Sequence, residues 1–143
     1  MFIIAAMFVV AAWSWSSVPA RLPVHWNAAG RIDAYGGKFT ALLFLPIVAT
    51  AVYALLEILS LVRTDRLDAP ARRAIGWFKY AFLIVMAGVY AVMSAAARGI
   101  VINMNFAVWP LFAIMLIAAG NLMMHGIRSA AARRDMPANG PKT

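Results

Sequence analysis

Cysteine is absent from this 143-residue sequence, and charged residues make up only 13% of it. Without cysteine the chain has no disulfide, no thiolate nucleophile, no cysteine-ligated zinc or iron–sulfur cluster and no c-type haem attachment. A soluble domain of this size carries about a quarter charged residues. Because 64% of the residues are hydrophobic, a polar shell cannot enclose the apolar ones, and lipid is the expected solvent.

Acidic residues are also scarce, since 5 stand against 13 lysines and arginines and give a formal net charge of +8. The basic residues lie at the ends of apolar runs, which is typical of membrane orientation signals rather than of nucleic-acid binding. We therefore expect membrane lipid around the chain and no nucleic-acid partner.

Four apolar runs predict an all-α integral membrane protein, with four transmembrane helices and a structured extracytoplasmic loop between helices 1 and 2. The first run lacks a preceding basic segment, so it is interpreted as a retained helix and not as a signal peptide. A membrane domain is expected over 1–128 and a mobile cytoplasmic tail over 129–143. The helices are expected at about 2–18, 39–62, 77–97 and 106–124.

The distribution of lysine and arginine predicts the orientation. Segments 63–76 and 125–143 carry about twice as many of these residues as segments 19–38 and 98–105. By the positive-inside rule both termini are then cytoplasmic, and the loop over 19–38 faces outward. The expected location is the cytoplasmic (inner) membrane of a bacterium.

The loop contains the only long polar, glycine-punctuated segment of the first hundred residues, Pro23–Lys38. Its prolines favour extended backbone and its Asn-Ala-Ala-Gly segment favours a turn. Two short extended pieces around a turn and an irregular loop at the membrane surface both fit. The polar groups either form an interaction site or satisfy only the loop's own backbone and lipid headgroups. The candidate interaction residues are His25, Trp26, Asn27, Gly30, Asp33 and Lys38.

Metal and cofactor chemistry fit the sequence poorly. Zinc takes three or four ligands, whereas the loop offers His25 and Asp33, and the predicted topology puts His125 on the other side of the membrane. No serine lies in a Gly-x-Ser-x-Gly setting. We expect no metal, no cofactor and no catalytic residue. The enzymatic alternative uses His25 as a base that Asp33 orients.

Glu57 is the one acid inside a predicted span, and an intramembrane acid is a functional hypothesis by default. The structural interpretation, which we favour, pairs it with Arg63 or Lys79. Other polar and small residues in the helices are expected to support packing between helices. These residues are Asn103, Asn105, Asn121, Gly88, Ala91 and Ala95.

The segment Leu22-Pro23-Val24-His25-Trp26-Asn27, followed by Gly30, Asp33, Lys38 and a helix with Pro46, resembles the N-terminal domain of the SdpI family. A second likeness, in Gly120-Asn121 and Gly126-Ile127-Arg128, extends the resemblance over about residues 1–128. The chain lacks the continuation and the last two helices of the longer members and so resembles a short form. The family consists of bacterial integral-membrane proteins, and its named member gives immunity to a secreted killing peptide.

The resemblance implies a membrane immunity or signalling protein that uses the loop over 19–38 to meet a toxin peptide or a membrane protein partner. A small accessory subunit of a larger membrane complex is the alternative, and a homo-oligomer fits either. Arginines at the cytoplasmic side form a docking face, or else they only set the topology and bind anionic lipid. These arginines are Arg66, Arg72, Arg73, Arg128, Arg133 and Arg134.

Overall fold

The computed structural model describes residues 1–63 and 69–134, and this part of the chain is mostly helical. A two-stranded antiparallel sheet lies between the first two helices, so the predicted structured loop contains extended backbone. The elements in chain order are α1 (Phe2–Ser14), β1 (Arg21–Trp26), β2 (Ile32–Gly37), a π-helical segment (Phe39–Leu43), α2 (Phe44–Arg63), α3 (Ala69–Ala97) and α4 (Met104–Arg134).

Three helices in the described ranges are long and apolar enough to cross a membrane, over Phe39–Leu61, Ala69–Ala97 and Met104–Arg128. These helices suggest a multi-pass membrane protein. Helix α1 is apolar but only 13 residues long, which is about 20 Å against a hydrocarbon core of about 30 Å. The expected four-span topology therefore remains a prediction.

The helices differ in extent from the apolar runs that predicted them. Helix α1 ends at Ser14 rather than near residue 18, because a serine turn replaces the helix there: the Ser17 hydroxyl donates to the Ser14 carbonyl at 3.1 Å. Helices α3 and α4 instead continue past the predicted ends at 77 and 124. Hydropathy marks only the lipid-compatible part of a helix, whereas the backbone hydrogen bonds continue into its arginine-rich ends.

The predicted mobile tail over 129–143 is helical in its first part, since α4 continues to Arg134. Residues 135–143 lie outside the described residues, as does Arg66 in the segment 64–68.

The base of the sheet is part of the protein core. Leu22 of β1 and Leu42 of the π-helical segment are each 1% exposed, and they share a cluster with Met7 of α1 and Tyr90 of α3. Burying an aliphatic side chain of this size contributes about 2 kcal/mol. The strands are therefore held against α1, α3 and the π-helical segment.

Two of the contacts between the long helices involve residues singled out in the sequence. A Cβ atom on Gly88 of α3 would lie 2.7 Å from Leu111 Cδ2 of α4, so this glycine permits the close helix packing expected of it. Glu57 of α2 pairs with Lys79 of α3, with 3.0 Å between Oε2 and Nζ. Of the two partners expected for Glu57, the structure shows Lys79.

Candidate interaction hairpin

The hairpin (residues 21–37) keeps one register except at a local irregularity beside His25. Leu22 pairs with Gly36 and Trp26 pairs with Ile32, whereas His25 pairs with Ala34 between two register shifts. A shift of this kind locally changes the direction in which side chains point. His25 is thereby placed beside Asp33, and both side chains are exposed.

Asn27 builds the turn between the strands. Its Oδ1 accepts hydrogen bonds from the backbone N–H groups of Ala29 at 3.0 Å and Arg31 at 3.1 Å. Its own N–H donates to the Arg31 carbonyl at 2.8 Å, and its carbonyl accepts from Gly30 at the same distance. Asparagine forms such local turns because its short side chain reaches the backbone two residues on. The side chain of Asn27 thus shapes the hairpin.

The tip of the hairpin is fixed to the start of α4. Asn105 Nδ2 donates to the carbonyl oxygen of Ala28 at 3.1 Å. Gly30 has a φ of +73°, and a Cβ atom there would lie 3.4 Å from the side chains of both Asn103 and Asn105. Glycine therefore serves both the left-handed backbone and the close approach. Asn105, which was expected to link helices, links the hairpin to a helix instead. Asn103 Oδ1 accepts hydrogen bonds from the backbone N–H groups of Asn105 at 3.1 Å and Phe106 at 3.5 Å at the start of α4.

The base of the hairpin is fixed to the end of α1. Lys38 Nζ donates to the carbonyl oxygen of Trp15 at 2.6 Å. Nearby, Arg98 at the end of α3 donates from Nη1 to the Ser94 carbonyl at 2.9 Å and from Nη2 to Ser14 Oγ at 2.6 Å. These contacts satisfy polar groups at two helix C-termini, where carbonyl groups lack helical partners. Lys38 therefore acts as an anchor of the hairpin.

The polar pair of the hairpin is formed by His25 and Asp33. His25 Nδ1 lies 2.6 Å from Asp33 Oδ1, with the side chains 66% and 40% exposed. An ionised carboxylate only accepts hydrogen bonds, so Nδ1 carries the proton and the imidazole is held in one orientation. Nε2 is left to meet a partner.

A groove of about 670 Å³ runs beside the hairpin, between its Pro23 and Tyr35 side and the end of α3. Ile32, 40% exposed, and Tyr35, 58% exposed, contribute apolar surface, and Arg21 and Arg98 contribute positive charge. Its volume lies within the range of ligand sites. The groove can hold an extended segment that carries an apolar side chain and a negative group. His25 and Asp33 do not line it.

The six predicted loop residues thus divide into two groups. Asn27, Gly30 and Lys38 shape or anchor the hairpin, whereas His25 and Asp33 form an exposed pair and Trp26 is half-buried beside them. The groove residues Arg21, Tyr35 and Arg98 were missed as site residues. The hydropathy pattern carried no signal for them, since their placement depends on how the hairpin packs against α3.

Within residues 1–63 and 69–134, no group of three or more metal-ligating side chains is found. His125 lies on α4, a helix whose start contacts the hairpin tip and whose remaining length leads away from it. Arg72, Arg73 and Arg128 are all exposed on helices α3 and α4. For Arg133 and Arg134 the structure describes the backbone only.

Residues 2–50 match the family model of a domain of unknown function (DUF1648). This domain is found in membrane proteins, SdpI-like ones among them. The match covers α1, the hairpin, the π-helical segment and the beginning of α2. It therefore includes the hairpin side of the groove but not the wall at the end of α3. Comparisons with curated proteins and with solved structures each found no match.

Proposed function

We propose that the chain is an SdpI-like membrane immunity or signalling protein whose hairpin is the interaction site for a secreted peptide. The observation that carries this proposal is the combination of anchoring and exposure. Lys38 fixes the base and Asn105 fixes the tip, while the His25–Asp33 pair remains exposed. A preformed surface of this kind loses little conformational entropy on binding.

The groove and the His25–Asp33 pair indicate which chemical groups the peptide would carry. Tyr35 and Ile32 offer apolar contact to a side chain of the peptide, and Arg21 offers a charge-assisted hydrogen bond to a carboxylate. Nε2 of His25 offers a hydrogen bond to a polar group of the peptide, because Nδ1 is engaged by Asp33. A peptide with an apolar side chain and a free carboxylate fits the groove, and a polar group elsewhere in the same peptide can meet His25 outside it.

Survival of a sensitive bacterium under the secreted killing peptide of the SdpI system tests the proposal. Cells that express the wild-type chain are expected to survive, and cells that express His25→Ala/Asp33→Ala or Arg21→Gln are expected to lose protection at unchanged membrane levels. Arg31→Ala is the matched control, because Arg31 is an exposed cation of the same hairpin that does not line the groove. Full protection by the double variant would contradict the proposal.

An accessory subunit of a larger membrane complex is the second candidate, and the exposure of α4 favours it. None of the most apolar 18-residue stretch of the span over Met104–Arg128 is buried within the described part of the chain. Lipid or a partner helix covers such a surface in a membrane. Purification in a mild detergent distinguishes the two: one large partner in a fixed ratio supports the subunit, and a lone monomer or dimer opposes it.

A further inference from the structure

A second cavity, with both polar and apolar side chains in its lining, lies between α3 and α4, on parts of these helices remote from the hairpin. It has a volume of about 520 Å³ and is lined by the first turn of α3, by Arg73 and Trp77, and by Asn121 and His125 of α4. The proposed function does not use these residues.

The depth of this cavity places it at the membrane surface. From Ala97, the last residue of α3, to Trp77 there are about 30 Å of helix at 1.5 Å per residue. This length equals the thickness of the hydrocarbon core. Trp77 therefore lies at one hydrocarbon boundary when the end of α3 lies at the other, and Arg73 lies one turn farther out. Tryptophan and arginine are the residues typical of this level.

The donors of the cavity suit a phosphate group. The Arg73 guanidinium is permanently charged and presents paired N–H groups that match phosphate oxygens. The Asn121 amide and an imidazole N–H of His125 supply further donors from the facing helix. Trp77, which is 69% exposed, adds an apolar flank on which an acyl chain can pack. A site that combines phosphate donors with an apolar flank at this depth fits a phospholipid better than a soluble anion.

We propose that this cavity binds the phosphate of an anionic phospholipid headgroup. Arg73 makes the principal contact, and Asn121 and His125 complete it. Of the arginines expected to form a docking face, three have described side chains: Arg73 lines the cavity, and Arg72 and Arg128 do not. The cavity thereby distinguishes a specific lipid site from the general attraction of basic residues to the membrane.

Native mass spectrometry of the detergent-solubilised protein tests the proposal with added phosphatidylglycerol or phosphatidylcholine. The wild-type protein is expected to retain phosphatidylglycerol preferentially, and Arg73→Gln to weaken its binding roughly tenfold, as for the loss of one charge-assisted hydrogen bond. His125→Leu is expected to weaken the binding of phosphatidylglycerol as well. Because two substitutions on different helices test the cavity, the result does not depend on the folding of one variant. Arg128→Gln is the matched control and is expected to bind as the wild type does.

Three outcomes would overturn the proposal. The first is equal retention of the two lipids, and the second is an equal loss in Arg73→Gln and Arg128→Gln, which would indicate diffuse electrostatic attraction. The third is displacement of phosphatidylglycerol by millimolar inorganic phosphate, which would assign the cavity to a free anion.

Discussion

Lys38 and Trp15 lie 23 positions apart in the sequence, and the ammonium group of the lysine donates to the tryptophan carbonyl at 2.6 Å. This hydrogen bond closes the segment that contains both strands, because Trp15 follows α1 and Lys38 precedes α2. The carbonyl of Trp15 lies at a helix C-terminus, where it has no partner within the helix. One cation thus ties the two ends of the hairpin segment together.

Replacing Lys38 with methionine keeps the length of the side chain and removes its donor. We expect the free energy of unfolding to fall by about 1 kcal/mol, since the bond is charged but exposed to solvent. Amide hydrogen exchange should rise in the hairpin and at the end of α1 and stay unchanged in α4. Arg31→Met is the control, and equal exchange in both variants would contradict an anchoring role of Lys38.

Asn27 provides a test of the turn. Asn27→Ala removes the acceptor of two backbone N–H groups, and we expect it to cost about 1 kcal/mol of stability and to raise hydrogen exchange at the tip. Asn27→Asp retains an oxygen at the same place and should fold as the wild type does. Protection assays of the two variants separate an effect on folding from an effect on recognition. If Asn27→Asp has a folded hairpin and still loses protection, as Asn27→Ala does, the amide of Asn27 itself contacts the ligand.

Gly30 provides an independent test at the same tip. Alanine there must adopt a φ of +73° and place its Cβ 3.4 Å from Asn103 and Asn105, so we expect Gly30→Ala to lower stability by roughly 1 kcal/mol. Gly37→Ala is the matched control, because a Cβ at Gly37 meets nothing within 4 Å. Thermal unfolding in detergent measures both, and equal transition temperatures would contradict the strain expected at Gly30.

The sequence predicted the helices well because the apolar runs are long, but it predicted their ends poorly. The first span, expected over 2–18, corresponds to 13 residues of helix, since serines compete for the backbone of the last turn. In the loop, two extended pieces around a turn and an irregular loop both fitted the sequence, and the hairpin has the first of these forms.

The contacts that fix the hairpin could not be predicted in the same way. Lys38–Trp15 and Asn105–Ala28 join residues distant in sequence, and a single sequence contains no signal for such pairs. The His25–Asp33 contact depends on the local register irregularity, which composition does not encode. Polar residues in an apolar chain thus predicted the candidate site, and only the fold separated those that shape the hairpin from those exposed on it.

The packing of α3 on α4 gives a prediction about Gly88. Alanine normally stabilises a helix relative to glycine by roughly 0.5–1 kcal/mol, but at position 88 its Cβ would lie 2.7 Å from Leu111 Cδ2. We expect Gly88→Ala to destabilise the protein and Gly76→Ala, on the same helix with nothing within 4 Å, to be neutral or stabilising. Adding Leu111→Ala should restore part of the loss in the Gly88 variant. An equal effect of the two single substitutions in unfolding by dodecyl sulfate would contradict the close contact.

Glu57 and Lys79 provide the last prediction, which concerns charge inside the membrane. Their ion pair lies within two predicted spans, with the lysine side chain only 12% exposed. Glu57→Gln leaves this largely buried ammonium group without its counter-charge, and we expect the free energy of unfolding to fall by roughly 1 kcal/mol, because the pair lies near the hydrocarbon boundary, where an unpaired charge is less costly than at the bilayer centre. Glu57→Leu/Lys79→Leu removes both charges and should recover most of that stability.

The same double variant tests whether the pair has a role beyond stability. If the pair moves a proton or an ion, the double variant will be stable but will not protect cells. If the pair only joins α2 to α3, the double variant will be stable and will protect cells. Unfolding in mixed micelles together with the survival assay resolves the two, and additive losses in the double variant would contradict any pairing in the membrane.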